Sequence, residues 1–213
     1  MIFDTVPVAP LRVNCYLLGD EKEGVCALVD PGGSPKQVLE MLEKSGLRLT
    51  MILLTHGHYD HIGGIPALLE KFPGTPVYLH PGDLTPPGLE EPTIQNKRKK
   101  MYFMDPIPEL RPLADGDELQ IGSIPVKVLH TPGHSAGSVV FLMEDYMICG
   151  DTLFAGACGR WDLAGGDGDA IKASLKRLYE LKGDYKVCPG HSDLSTLETE
   201  RQTNPYMRQA VGL

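Results

Sequence analysis

Basic residues are scarce in this chain relative to acidic ones. Its 213 residues include 20 Lys and Arg against 28 Asp and Glu, a formal net charge of −8. A nucleic-acid interface needs a concentrated basic surface that neutralises phosphates. The single basic run, Lys97-Arg98-Lys99-Lys100, is short; it indicates either a solvated helix face or a collar that attracts an anionic substrate. The composition argues against DNA or RNA as a partner.

Long apolar runs are also missing, and cysteine is sparse. No segment reaches the roughly 20 apolar residues of a membrane span, and the start lacks a basic region followed by an apolar signal core. The five cysteines are an odd set without CxxC spacing, which argues against a disulfide framework. With 42% hydrophobic residues and no composition break, we expect one cytoplasmic domain, residues 1–213, without a membrane partner. The sequence leaves the oligomeric state open.

Histidine, by contrast, is concentrated in one place. Residues 55–61 read Thr-His-Gly-His-Tyr-Asp-His and follow the apolar run Met51–Leu54, which predicts a buried strand. Three more candidate ligands, His134, Asp151 and His191, each follow a strand-like segment and stand beside glycine. Taken singly, His134 and His191 are typical of loop residues, so only the whole set of candidates favours metal binding. Four candidates within six positions exceed what one open metal site holds, which predicts two neighbouring ions.

The order His-x-His-x-Asp-His, then His, Asp and His, resembles the metallo-β-lactamase-fold hydrolases. Within that superfamily, Asn14–Leu18, Val29–Gly33, Gly150–Phe154 and Cys158–Arg160 resemble the glyoxalase II (hydroxyacylglutathione hydrolase) branch, which hydrolyses glutathione thioesters. The match covers nearly the whole chain. It implies an α/β fold, a four-layer αββα sandwich with the metals at one edge between two sheets.

The resemblance implies metal-ligand roles for seven residues, in two triads and a bridge: His56, His58 and His134; Asp60, His61 and His191; and Asp151. The implied cofactor is two divalent metal ions. Zinc is the expected metal, with iron and manganese as alternatives, because imidazole nitrogen suits all three. Paired cations lower the pKa of a shared water toward neutrality, and Asp60 and Asp151 are the implied catalytic carboxylates.

Five further residues near these motifs have predicted roles. Asp30 resembles a residue that orients ligands through hydrogen bonds; the alternative is an Asp-Pro-Gly turn. Arg160 is expected to bind the thiol-bearing half of the substrate, the alternative being a surface arginine. Trp161 replaces a smaller or phenolic residue and would narrow the pocket. His130 is predicted either to support the ligands or to stand apart from them, and His80 to be structural.

The implied reaction is thioester hydrolysis, in which a metal-bridging hydroxide attacks the carbonyl carbon and a thiolate leaves. The expected partner is therefore a small-molecule thioester, and a glutathione derivative is the first candidate. Glyoxalase II proper carries a further helical domain after the last metal-binding histidine. Little follows His191 here, so the chain resembles the short, single-domain relatives and its glutathione specificity is open.

Alternatives remain from other classes. A persulfide dioxygenase would hold one iron through His56, His134 and Asp151, a two-histidine, one-carboxylate triad. A lactonase would use a phenolic side chain such as Tyr59 or Tyr102 to assist ring opening. A diiron electron-transfer protein would have glutamate at the second histidine of the cluster. A secreted β-lactamase would need a signal peptide and lacks the bridging aspartate, and a nuclease would need an inserted domain.

The apolar pattern predicts strands alternating with helices. Predicted strands are Ile2–Pro7, Asn14–Leu18, Val25–Val29, Leu49–Thr55, Val77–His80, Glu118–Ile121, Val126–His130, Ser138–Leu142, Tyr146–Cys149 and Val187–Cys188. Predicted helices are one that Ser34 caps, Pro35 begins and Gly46 ends, then Ile65–Phe72 and Ala170–Leu181. The proline-rich segment Pro81–Pro112 predicts a loop over the site, with a short helix around Thr93–Met101.

Overall fold

The computed structural model describes residues 1–33, 35–84 and 106–213. The predicted cap Ser34, the helix predicted around Thr93–Met101, the basic run 97–100 and Tyr102 lie outside these residues. The strands are β1 (Ile2–Val8), β2 (Val13–Asp20), β3 (Val25–Val29), β4 (Arg48–Leu53), β5 (Val77–Leu79), β6 (Leu110–Pro112), β7 (Glu118–Ile121), β8 (Ile124–His130), β9 (Val139–Met143), β10 (Tyr146–Gly150), β11 (Leu153–Phe154), β12 (Ala157–Cys158), β13 (Lys186–Pro189) and β14 (Ser195–Thr196). The helices are α1 (Pro35–Ser45), α2 (Tyr59–Ile62), α3 (Ile65–Lys71), α4 (Gly168–Tyr179), α5 (Leu197–Thr203) and α6 (Pro205–Ala210), with a 3₁₀ turn at Pro81–Asp83. Across the described part of the chain, every helix is too short or too polar to cross a bilayer.

The strands form two six-stranded sheets. The first has the order β1-β2-β3-β4-β5-β6, antiparallel from β1 to β3 and parallel from β3 to β6. The second has the order β14-β13-β10-β9-β8-β7, in which β10 and β13 are parallel. The short β11 and β12 pair separately as a hairpin. Parallel pairs place successive strand ends at one edge, where ligands gather in α/β folds.

Alternating side chains of β2 show how the layers form. Cys15 and Leu17 pack with residues of α1 and α3, whereas Tyr16 and Leu18 pack with residues of the second sheet. All four side chains are buried. Successive strand residues point to opposite faces, so a strand that is apolar on both faces must be covered on both sides.

Three apolar clusters separate four layers. The first lies between the helices α1 and α3 and the first sheet, the second between the two sheets, and the third between the second sheet and the helices α4, α5 and α6. Buried apolar area is the main favourable contribution to folding. This arrangement confirms the predicted αββα sandwich.

The prediction of a loop from Pro81 to Pro112 was wrong at both described ends. Pro81–Asp83 forms a 3₁₀ turn, and Leu110–Pro112 is strand β6 at the edge of the first sheet. Proline is tolerated at an edge strand and in the first turn of a helix, because neither position needs its missing N–H. The proline count therefore misled the prediction at these positions.

The chain after His191 forms two helices that no sequence pattern predicted. They hold the β11–β12 hairpin through two buried polar residues, Glu200 and Asn204. Asn204 Nδ2 donates to the carbonyl oxygens of Phe154 (3.2 Å) and Ala157 (2.9 Å), and Glu200 Oε2 accepts from the Gly156 N–H at 2.8 Å. These bonds attach the C-terminal helices to the segment that follows Asp151.

Candidate metal centre

The seven predicted ligands come together where strands of both sheets end. His56 follows β4 of the first sheet by three residues. Asp151 and His191 follow β10 and β13, whose parallel ends are aligned with Gly150 opposite Pro189. The short helix α2 carries Asp60 and His61, both buried. Sequence reasoning predicted this convergence but missed α2, because four residues are too few to show a helical period.

Each predicted triad is a compact group. Ligand atoms of His56, His58 and His134 all lie within 4.8 Å of one another, and so do those of Asp60, His61 and His191. His134 Nε2 lies 2.9 Å from His58 Nδ1 in the first triad, and His191 Nε2 lies 3.3 Å from Asp60 Oδ2 in the second.

Asp151 lies between the two triads. Its Oδ2 is 3.4 Å from His134 Nε2 and 3.6 Å from His191 Nε2, and its Oδ1 is 3.5 Å from His61 Nε2. One carboxylate therefore faces imidazoles of both groups, which is the position that a bridging ligand needs.

Buried polar atoms without hydrogen bonds indicate what the cluster is built to hold. Among the described residues, His56 Nε2, His61 Nε2 and Asp151 Oδ1 are buried and have no hydrogen-bond partner. Leaving such atoms unsatisfied costs free energy, so most buried polar groups are paired or ligate metals. The donor set of imidazoles and carboxylates fits divalent ions such as zinc, iron or manganese.

Asp30 holds residues of the cluster in position through hydrogen bonds. Its Oδ2 accepts from His61 Nδ1 at 2.9 Å and from Thr55 Oγ1 at 2.6 Å, and its Oδ1 accepts from the Thr55 N–H at 2.8 Å. Thr55 Oγ1 in turn lies 3.0 Å from His56 Nδ1. Asp30 also groups geometrically with His56 and His61 as a possible ligand. Because its oxygens are already engaged, we assign it the predicted orienting role rather than ligation.

A second buried carboxylate, Asp83, was missed by sequence reasoning. Its Oδ2 accepts from the Gly57 N–H at 2.9 Å and from Ser135 Oγ at 2.7 Å, and its Oδ1 accepts from the Gly137 N–H at 2.7 Å. Burial raises the pKa of Asp83, and the bonds from Ser135, Gly57 and Gly137 oppose that rise. Asp83 thus ties the loop of His56 and His58 to the loop of His134.

Asn14 and Tyr16 of the first sheet fix the loop that carries His191 in the second. Asn14 Nδ2 donates to the carbonyl oxygens of Pro189 (3.1 Å) and Ser192 (2.9 Å), and the Asn14 N–H donates to Gly190 O at 2.7 Å. Tyr16 Oη donates to the Pro189 carbonyl at 2.7 Å. These bonds cross between the sheets, which gives the sequence motif Asn14–Leu18 a physical role.

Two glycines, Gly150 and Gly190, allow the predicted ligands to pack closely. Gly150 has φ +47°, and a side-chain carbon there would overlap Thr55 Oγ1. A side-chain carbon at Gly190 would overlap Asp151 Oδ1. Both glycines directly precede a predicted ligand, so any larger residue would displace that ligand or its neighbour.

The electrostatic surroundings of the two triads differ. Burial, followed by the neighbouring imidazoles, lowers the pKa of His56, and burial and His134 lower the pKa of His58 to about 3. Burial also lowers the pKa of His61, but the carboxylates of Asp30 and Asp151 outweigh it and raise the pKa to about 9. His56 and His58 of the first triad thus favour the neutral imidazole, while His61 of the second is surrounded by carboxylates that favour a cation.

A cavity of about 540 Å³ opens onto the cluster. Its walls include Leu11, Tyr59, Phe154 and Arg160 together with predicted ligands. The Arg160 side chain is bound to Asp162 through Nε–Oδ1 and Nη2–Oδ2 distances of 2.7 Å each. Its carbonyl oxygen accepts from His134 Nδ1 at 2.8 Å, which leaves Nε2 of that ring directed at Asp151.

The other residues singled out in the sequence lie off this cavity. Trp161 lines neighbouring cavities rather than the one at the cluster. His80 and His130 stack on each other with ring centroids 4.0 Å apart. His80 Nδ1 accepts from the Gly82 N–H and caps the 3₁₀ turn that carries Asp83, which is a structural position. His130 Nε2 bonds the Ala136 carbonyl at 2.9 Å.

Comparison with known proteins finds similar sequences over most of the chain. The family described as the metallo-beta-lactamase superfamily matches residues 8–191. An uncharacterised protein of Aquifex aeolicus is 38% identical over 97% of each chain. The probable metallo-hydrolase YqgX of Bacillus subtilis is 34% identical over 95% of each chain. A hydroxyacylglutathione hydrolase of Hamiltonella defensa is 36% identical over 93% of this chain and 73% of its own.

Solved structures are similar over nearly the whole chain. The crystal structure of BLEG-1 B3 metallo-beta-lactamase is 33% identical with a TM-score of 0.83, covering 97% of this chain and 99% of that one. TTHA1623 in a di-iron-bound form is 39% identical with a TM-score of 0.80, covering 95% and 99%.

Proposed function

The chain belongs to the metallo-β-lactamase superfamily of metal-dependent hydrolases, and we propose that it is a dinuclear thioester hydrolase of the glyoxalase II type. The observation that carries this proposal is Asp151, whose two oxygens face imidazoles of both triads. A bridging carboxylate is expected where two ions share one site. One ion would be held by His56, His58 and His134 and the other by Asp60, His61 and His191, with Asp151 between them.

When bound, such an ion pair supplies an activated water and an electrophile for the substrate carbonyl. The chain's own contribution is to fix the ligands before substrate arrives. Asp30 holds the His61 ring, and the Arg160 carbonyl holds the His134 ring. Fixed ring tautomers keep a defined nitrogen of each imidazole directed into the cluster.

The cavity lining supports a thioester rather than a substrate with a poor leaving group. Among the described residues that line it, the only carboxylates are Asp60 and Asp151, which are both predicted ligands. In thioester hydrolysis water adds to the carbonyl carbon, the C–S bond breaks and the electron pair leaves with sulfur. Thiols have a pKa of about 8.5, so the thiolate departs without a strong general acid.

Zinc is the metal that we propose, since four-coordinate sites rich in imidazole suit it. The same ligands suit iron, and the similar protein TTHA1623 has been observed with two irons. The relatives described as hydroxyacylglutathione hydrolases support a glutathione-derived thioester as the first substrate to test.

Two alternatives use other subsets of these residues. A single-iron persulfide dioxygenase would need only His56, His134 and Asp151, which leaves the compact group of Asp60, His61 and His191 without a role. One observation favours a lactonase, which would use a phenolic side chain: Tyr59 lines the cavity.

The test is a substrate comparison on one purified preparation. We expect thiol release from S-lactoylglutathione, no oxygen uptake with glutathione persulfide, and at most slow hydrolysis of an acyl-homoserine lactone or a cephalosporin. Asp151→Ala should abolish thiol release, whereas the control Asp145→Ala, at an exposed carboxylate, should retain it. Oxygen uptake without thiol release would contradict the proposal and identify the dioxygenase.

A further inference from the structure

Two further cavities share lining residues with the cavity at the cluster. Cys158 lines the cavity at the cluster and also two adjoining cavities of about 330 Å³ and 200 Å³. Arg160 lines the cavity at the cluster and the cavity of about 330 Å³. Trp161 and Tyr206 line both of the smaller cavities. The two smaller cavities, together called the Trp161–Tyr206 groove, therefore adjoin the cavity at the cluster and reach helix α6.

The walls of this groove are exposed aromatic rings. Trp161 is 39% exposed and Tyr206 40% exposed, and their ring centroids lie 6.2 Å apart at an interplanar angle of 72°. Large apolar side chains that stay exposed beside a reaction site commonly contact a ligand. Ile171 and Leu175 of α4 form an apolar floor, and Lys172 lies at the rim.

The groove is held in shape by buried polar contacts. Asn204 caps α6 by accepting from the N–H groups of Tyr206 and Met207, which fixes the position of Tyr206. The same Asn204 side chain donates to the hairpin that ends in Cys158. The Gly166–Gly168 segment packs against Trp161, since a side-chain carbon at Gly166 would overlap the Trp161 carbonyl oxygen. A preformed groove binds with less loss of conformational entropy than a mobile one.

We propose that this groove binds the thiol half of the thioester substrate, as a flexible, amide-bearing chain that lies between the rings of Trp161 and Tyr206. The inference rests on the proposed function. Hydrolysis leaves the acyl half as a carboxylate at the cluster and releases the thiol half as an anion. Among the described residues, Arg160 is the lysine or arginine that lines both the cavity at the cluster and the groove. In this arrangement the last helix, α6, supplies a substrate contact through Tyr206.

Trp161 is the only tryptophan in the protein, so its fluorescence reports on the groove directly. The probes are S-methylglutathione and S-methylpantetheine, thioethers that cannot bind a metal as thiolates, with N-acetyl-S-methylcysteamine as a truncated control. We expect a saturable change in Trp161 emission with at least one long thioether and none with the truncated one. Tyr206→Ala should weaken that binding about tenfold, and Tyr206→Phe should restore it.

Kinetics provide the second readout. For thioesters of whichever long thiol binds the groove, Trp161→Ala and Tyr206→Ala should each raise KM about tenfold and leave kcat unchanged. For the N-acetylcysteamine thioester, both KM and kcat should stay unchanged. Leu213→Ala, at another exposed apolar side chain, is the matched control. Equal losses on long and truncated thioesters would overturn the groove assignment, as would long thioethers that leave Trp161 emission unchanged. Saturable thioether binding without any thioester turnover would instead contradict the proposed function.

Discussion

Two buried carboxylates, Asp30 and Asp83, support the candidate metal cluster through hydrogen bonds. Asp30 bonds His61 and Thr55, whereas Asp83 bonds the loops on either side of His58 and His134. Neither carboxylate needs to touch an ion to set the positions of the predicted ligands. Loss of a hydrogen-bond partner of this kind typically lowers metal affinity or activity about 10- to 100-fold.

We predict that Asp83→Asn weakens metal binding about 10- to 100-fold, because the amide can no longer accept from all of Gly57, Ser135 and Gly137. Competition with a chelator measures this affinity, and Asp145→Asn is the exposed control. A variant with a lowered Tm but unchanged metal affinity would show that Asp83 serves the fold alone.

Residues within recognisable motifs were predicted from the sequence, whereas Asp83, which lies outside every such motif, was missed. His56, His58, Asp60 and His61 fall within six positions, so their type and spacing are visible in one segment. Asp83 meets partners that are 26, 52 and 54 residues away in the chain. No local pattern encodes such contacts, because only the packed fold brings them together.

Elements with strong local signals were predicted closely. Helix α1 spans Pro35–Ser45, as the proline at its start and the glycine after its end predicted. Strands β3 and β7 have the predicted bounds. The hairpin β11–β12 and strand β14 were missed because their strands are two residues long, which is too short for an alternating pattern.

One carboxylate, Asp20, joins the end of β2 to the turn before β8. Because this carboxylate titrates, the free energy of unfolding depends on pH. Asp20 Oδ2 accepts from Ser123 Oγ at 2.6 Å and from the Ser123 N–H at 2.8 Å. These bonds lower the pKa of Asp20 to about 2. Because the folded pKa is depressed, the stabilisation is complete above the unfolded value of about 3.9 and is lost as pH falls toward 2.

Asp20→Asn should therefore lower the Tm at pH 7, and the difference from the wild type should shrink as pH falls from 4 to 2. Thermal melts monitored by circular dichroism at several pH values check this. Glu21→Gln, at the exposed neighbour, should follow the wild type throughout. A Tm difference that is the same at pH 7 and pH 2.5 would rule out the titration of Asp20 as its cause.

At the scale of the whole molecule, the cluster joins the two sheets. Its residues follow β4 of the first sheet and β10 and β13 of the second, and Asn14 and Tyr16 of β2 bond the loop of His191. A ligand that binds only the folded state stabilises it. Ions at this edge would therefore hold the two halves of the sandwich together as well as serve the reaction.

The most direct test of the account is the metal content of protein purified without added metal, measured by inductively coupled plasma mass spectrometry. The account predicts about two ions per chain for the wild type and for Asp145→Ala, fewer for Asp151→Ala, and a lower Tm after chelation. A folded, thioester-hydrolysing protein that contains one ion or none, and whose Tm is unchanged by chelation, would contradict the dinuclear centre.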